Sequence, residues 1–207
     1  MPDDPRAAGR RSALLDPAWR YVEKTTLDEF RAEDWACLNS QRAAYLEREK
    51  ARQALALLEA SRNDASFGYL INNYEHCLQT ATCQWRDGFD EETVVCGLFH
   101  DIGFVVSPEN HGAFAAAMLA PYISDENRWM LERHAIFQQV HIHEYEGIDP
   151  DERDRWRGHP FFERTALFVA KYDQNTIDPG IENAPLSAFE PMVHRIFMRP
   201  PRPVPLD

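Results

Sequence analysis

Cys96-Gly97-Leu98-Phe99-His100-Asp101-Ile102-Gly103-Phe104 closes an apolar run on a His-Asp pair. A buried helix cannot carry an imidazole and a carboxylate side by side without partners, because stripping water from unpaired polar groups costs several kcal/mol. A metal ion satisfies both groups, since neutral imidazole and carboxylate are the nitrogen and oxygen donors that iron, zinc and manganese accept. Working outward, His76, His111, His134 and Asp173 supply further donors, each within a segment that reads as helical.

The composition narrows the field. The chain has 207 residues, with 22 Lys and Arg against 34 Asp and Glu, a net charge of −12. No basic stripe is present to neutralise a phosphate backbone, so a nucleic-acid partner is not expected. The 44% hydrophobic and 12% aromatic content predicts a folded middle, and no apolar run approaches the length of a membrane span. The first eleven residues lack an apolar signal region, which leaves the cytoplasm as the expected compartment. Cys37, Cys77, Cys83 and Cys96 form no Cys-x-x-Cys and read as reduced core thiols.

Helical periodicity and capping residues divide the chain. Thr26 reads as an N-cap with Asp28 and Glu29 in the first turn, and residues 32–58 as one or two amphipathic helices. Further helices are expected over 69–86, from an Asp90 cap to His100, over 111–122 behind Asn110, over 125–145, and over 161–175. On the long helix of 125–145, Trp129, Met130, Ile136, Phe137 and Val140 should face inward. Ser187 and Glu190 form a capping-box pattern for a closing helix to about residue 197. There is no repeat and no alternating strand pattern, so the expected fold is all-α, with a flexible segment at 1–25, one helical bundle over 26–198 and a proline-rich tail at 199–207.

The ligand candidates fall on five separate helices, so only a folded bundle can assemble them. Four histidines and two carboxylates exceed what one catalytic zinc takes and match two metals sharing a carboxylate, for which Asp101 is the natural bridge. Tyr69, Gln138, His159, Lys171 and Asn175 are candidates for substrate contact because they flank ligands or lie one helical turn from them. Each also has a plain structural reading: Lys171 as a solvated helix residue, Tyr69 and Gln138 as packing, His159 before Pro160 as a turn organiser. His141 and His143 are read as surface or supporting residues.

The ordered set His76, His100-Asp101 and Asp173 resembles the H…HD…D signature of the HD-domain superfamily. With His111 and His134 added, the chain resembles its diiron branch, the mixed-valent oxygenases related to phosphonate-cleaving HD oxygenases and to myo-inositol oxygenase. The stretches Glu75-His76-Cys77-Leu78-Gln79-Thr80-Ala81, His100-Asp101-Ile102-Gly103 and His111-Gly112-Ala113 carry the likeness, which covers about residues 66–178. The resemblance implies an HD-domain helical bundle with a dimetal site in its core. One metal is then held by His76, His100, Asp101 and Asp173, and a second by Asp101, His111 and His134.

It implies two iron ions, Fe(II) and Fe(III), although other divalent metals suit the same donors. The partners are then a small hydroxylated substrate and dioxygen, with Asp101 and Tyr69 as the residues closest to the chemistry. Where the phosphonate-cleaving members carry a Tyr and a Glu before the first ligand, this chain has Ser66 and Tyr69. Where they carry basic residues for the phosphonate, it has Gln138 and Ala170. Phe104 stands where HD phosphohydrolases often place Lys or His, yet a metal-dependent phosphohydrolase acting on a small phosphate ester or nucleotide is the alternative. A metal-stabilised interaction domain without catalysis is a third reading. The oligomeric state is not written in the sequence.

Overall fold

Each helix that carries a donor begins where the sequence offers its backbone a cap or a turn. The computed structural model describes residues 18–204, and every regular element among them is helical. The opening of the segment expected at 1–25 and the last three residues of the tail lie outside the described residues. The described chain groups as two units, residues 18–49 and 50–204.

In the first unit a short 3-10 turn, Leu27–Glu29, follows Thr26, whose side chain makes no cap hydrogen bond. Trp19 packs edge-on to Tyr45 at 5.7 Å, and Arg20 exchanges backbone hydrogen bonds with the Gln41 amide. Helix α1, Ala32–Ala60, is a single helix rather than two. In the second unit its last turns bury Ala51, Ala54, Leu55 and Leu58.

The second unit holds the remaining helices: α2 (Asn73–Arg86), α3 (Glu91–Phe99), α4 (His111–Leu119), α5 (Asp125–Gln138), α6 (Phe162–Phe168) and α7 (Leu186–Phe197). Helix α3 is the hub. Asp90 caps it through the Thr93 amide, and every residue from Thr93 to Phe99 is buried. A helix that is apolar all round belongs in the middle of a fold, and α3 touches α2, α5 and α7. Helix α4 packs on α5, and α5 on α6. The four cysteines are all free, with Cys77 and Cys96 buried.

Four expected boundaries move, each for a local reason. Helix α2 starts at Asn73, not at Tyr69, because Asn72 and Glu75 form a reciprocal capping box and Phe67 and Gly68 adopt positive φ of 54° and 104° that no helix continues through. Helix α4 stops at Leu119. Helix α5 ends at Gln138 and tightens into a 3-10 turn, Gln139–His141. Beyond it, residues 141–147 are exposed and have no apolar stripe to bury. Of the residues expected to face inward on α5, Met130 and Phe137 are fully buried, together with Leu131, whereas Trp129, Ile136 and Val140 are half-buried. The cap of α7 is Pro185, so Ser187 lies inside the helix and no capping box forms.

The segment expected as one helix over 161–175 is α6 followed by a π-helical turn, Val169–Asp173. Its mark is the Gln174 amide donating to the Val169 carbonyl at 3.1 Å. Such widened turns are rare and tend to lie at functional sites.

Glu92 ties α3 to the start of α5 and to the chain after α7. Its carboxylate accepts from the Ser124 amide at 2.7 Å and from Asn127 at 2.9 Å, and pairs with Arg199. Burial favours the protonated acid, but these donors outweigh it and hold the pKa at about 2 against an ordinary 4.5. A depressed carboxylate stabilises the fold in full above pH 4.5 and loses that contribution as pH falls toward 2. Glu92→Gln should therefore lower the unfolding free energy by about 2 kcal/mol at pH 7, with a difference that shrinks in acid, as read by denaturant unfolding at a series of pH values.

Candidate metal centre

The six expected ligands converge. His76 lies in the first turns of α2, His100 and Asp101 follow the C-terminus of α3, His111 opens α4, His134 lies on α5, and Asp173 ends the π-helical turn. His76, His100, Asp101, His134 and Asp173 are buried, and the His111 side chain is 12% exposed.

One regularity fixes all four rings. Nδ1 of His100 lies 2.8 Å from the Gly97 carbonyl, that of His111 2.7 Å from the Pro108 carbonyl, and that of His134 2.8 Å from the Leu131 carbonyl. Each is the carbonyl three residues upstream. His76 reaches instead across the fold to the Thr176 carbonyl at 2.8 Å, where Thr176 is steadied by a 2.8 Å hydrogen bond with Thr80. A carbonyl only accepts, so every Nδ1 carries its proton and every neutral ring presents a bare lone pair at Nε2.

Those lone pairs face one another. His76 Nε2 lies 3.0 Å from His100 Nε2, and His111 Nε2 lies 3.1 Å from His134 Nε2. Two acceptors at that distance repel unless a proton or a cation sits between them. Two nitrogens bound at about 2.1 Å and at right angles around one ion also come out about 3.0 Å apart.

The carboxylates complete both pairs. Asp173 Oδ1 stands 3.4 Å from His76 Nε2 and 3.6 Å from His100 Nε2. Asp101 Oδ1 stands 3.2 Å from both His111 and His134 Nε2, and its Oδ2 lies 3.7 Å from His76 Nε2. Asp173 Oδ2 is buried with no hydrogen-bond partner among the described residues. An orphaned carboxylate oxygen beside converging imidazoles is a donor set that suits a cation. These buried His and Asp groups are therefore able to hold a metal ion; His76, His100 and Asp173 form one compact set of donors, and His100, Asp101 and His134 another.

Without metal, protons take over the same task. Burial disfavours the imidazolium of His76, but the carboxylates of Asp173 and Asp101 more than offset it and raise the pKa to about 9. In the second pair burial also opposes charge. Asp101 nonetheless raises the pKa of His134, while burial and the neighbouring His134 lower that of His111. Asp101 and Asp173 resist the protonation that burial favours and stay well below the ordinary carboxylate range, held there by the surrounding imidazoles.

The other candidates divide. Gln138 donates to Asp173 Oδ1 at 3.1 Å and shares with Tyr69 a cavity of about 260 Å³ that opens onto His76 and Asp101. Lys171 pairs with Asp87 at 2.7 Å, and Asn175 turns back to the Ala170 carbonyl at 2.7 Å. His159 stacks on Trp129 at 4.4 Å and accepts from the Phe161 amide, organising its own turn. His141 lines the cavity, whereas exposed His143 faces Glu144 at 3.7 Å. Sequence reasoning missed Asn73, whose amide donates to the Asp101 carbonyl at 3.0 Å, and Thr176. Asn73 sits directly after the capping residue, which is the signal that marks it.

Gly112 has a packing role that His111-Gly112 alone does not reveal. A Cβ there would run into the Leu131 carbonyl, the acceptor for His134 Nδ1, and lie 3.2 Å from the His134 ring. No protein-family model matches the chain, and no curated protein matches it.

Two outcomes follow. Gly112→Ala should cost about 1–3 kcal/mol of stability and reduce bound metal, read by thermal melts and by elemental analysis. Because His76 holds a proton at pH 7 that a metal must displace, metal binding should release protons. Calorimetric titration in buffers of differing ionisation enthalpy measures that release, and a buffer-independent heat would contradict it.

Proposed function

We propose that this chain is an HD-type dimetal oxidoreductase that holds two irons and uses dioxygen to oxidise or cleave a small hydroxylated molecule. The observation that carries the reading is the presence of two facing imidazole pairs with Asp101 against both: its Oδ1 lies 3.2 Å from His111 and His134 and 3.7 Å from His100, and its Oδ2 lies 3.7 Å from His76. His76, His100, Asp173 and Asp101 Oδ2 would hold one ion, and His111, His134 and Asp101 Oδ1 the other. When bound, the ions supply Lewis acidity toward a substrate hydroxyl and electrons for dioxygen.

The residues around the pairs do the positioning. The second set has three protein donors where the first has four, which leaves it room for exogenous ligands. Gln138 fixes the oxygen of Asp173, and Asn73 anchors the backbone of the bridging residue. The cavity brings its occupant to His76 and Asp101, with Tyr69 at its wall. Holding a reacting bond beside the centre in this way converts binding into rate.

The same donors suit a phosphohydrolase. Against that reading, neither Lys nor Arg is among the described residues that line the cavity, and His76, which carries a proton at pH 7, already faces Asp173 and Asp101.

Protein reconstituted with Fe(II) should bind about two irons, give a coupled Fe(II)/Fe(III) signal by electron paramagnetic resonance after partial oxidation, and consume dioxygen with a suitable alcohol. His111→Ala should fall to about one iron and lose oxygen consumption. Phosphate release from small phosphate esters without dioxygen, or full iron retention in His111→Ala, would overturn the proposal.

A further inference from the structure

The cavity beside His76 and Asp101 also carries information about what enters it, and its wall divides into two parts. Phe67, Ile71, Phe104, Ile142 and Ile177 make one part apolar, with Phe67 and Phe104 in ring contact at 6.4 Å. Amides make the other, and each has an NH2 engaged by the protein: Asn73 on the Asp101 carbonyl, Gln138 on Asp173 and Gln174 on the Ala170 carbonyl. Their carbonyl oxygens are given no donor among the described residues, so this part of the wall offers acceptors beside its donors, the second N–H of each amide and the Ser66 and Tyr69 hydroxyls.

Lys171 pairs with Asp87, and the Arg153 guanidinium lies 5.9 Å from the centroid of the Phe137 ring. A carboxylate, phosphate or phosphonate is acceptor-only and charged, so this wall would strip its water and return no Lys or Arg, while the His76 ring already faces Asp173 and Asp101. A hydroxyl donates to the free amide oxygens, and a hydrocarbon body gains by leaving water against the apolar side. At about 260 Å³ the space lies at the small end of ligand pockets.

We infer that the cavity selects a small uncharged alcohol with an apolar body, its hydroxyl toward His76 and Asp101 and its hydrocarbon against Phe67, Phe104 and Ile142. The inference rests on the proposed function for what happens to the hydroxyl, but the selectivity belongs to the wall alone.

Binding of 2-phenylethanol, phenylacetate and 2-phenylethyl phosphate to the purified full chain, followed by ligand-observed nuclear magnetic resonance and competition, tests it without relying on turnover. The alcohol should bind at least about tenfold more tightly than either anion. Ile142→Lys and Ile177→Lys, at wall positions 42% and 44% exposed where a lysine is tolerated, should each narrow or reverse that order. A circular-dichroism melt shows that the variants are folded. An anion binding the native chain as tightly as the alcohol, or no alcohol binding at millimolar concentration, would overturn the inference. The two readings fail separately: anion preference in a chain that binds two irons and consumes dioxygen sinks the selectivity alone, whereas alcohol preference in a chain that binds no iron sinks the oxidoreductase.

Discussion

Four imidazole lone pairs pointed at one another in a buried space form an arrangement that neutral side chains cannot sustain. Each ring is pinned from behind by a backbone carbonyl, so it cannot turn to offer an N–H to its neighbour without surrendering that bond. What remains is to place positive charge between the nitrogens. The two buried carboxylates make either form of that charge, protons or metal, electrostatically acceptable, and the helices of the second unit are arranged so that these groups meet.

The division of labour along the chain follows from this constraint. Helix α3 has no solvent face over Thr93–Phe99 because its duty is to carry His100 and Asp101 to the middle of the unit. Helices α4 and α5 pack closely where Gly112 meets the Leu131 carbonyl, and that contact also sets the ring of His134. Capping by Asn72 starts α2 just ahead of its ligand, which puts His76 in a rigid helix while the preceding residues 66–71 stay irregular beside the cavity.

Much of this was legible in the sequence because the relevant signals are local. The apolar run before His100, the Asp90 cap and the helical spacing of buried residues pointed to the all-α class and most helix starts. The cluster of histidines and aspartates was legible for a different reason: such residues in otherwise apolar helices need an explanation. What was not legible depends on contacts distant in the chain. Thr176 meets His76 from a hundred residues away, and His159 finds Trp129 only after folding. The early end of α5 and the widened turn before Asp173 reflect packing demands that no periodicity announces. Lys171 and Asn175 illustrate the same limit, since neighbours in sequence to a ligand turned outward and back onto the helix end.

The π-helical turn at Val169–Asp173 works as a phase adjuster. Within a few residues the chain must bury Phe168 and Val169, send Tyr172 to Asp87 at 2.8 Å and deliver Asp173 to the imidazoles. An α-helix advances about 100° per residue and an i→i+5 turn advances less, so relaxing these five residues to α-helical pitch would swing the carboxylate aside while α6 kept its seat. A donor can thus be gained or retired by a change of pitch within one turn, leaving the surrounding architecture intact.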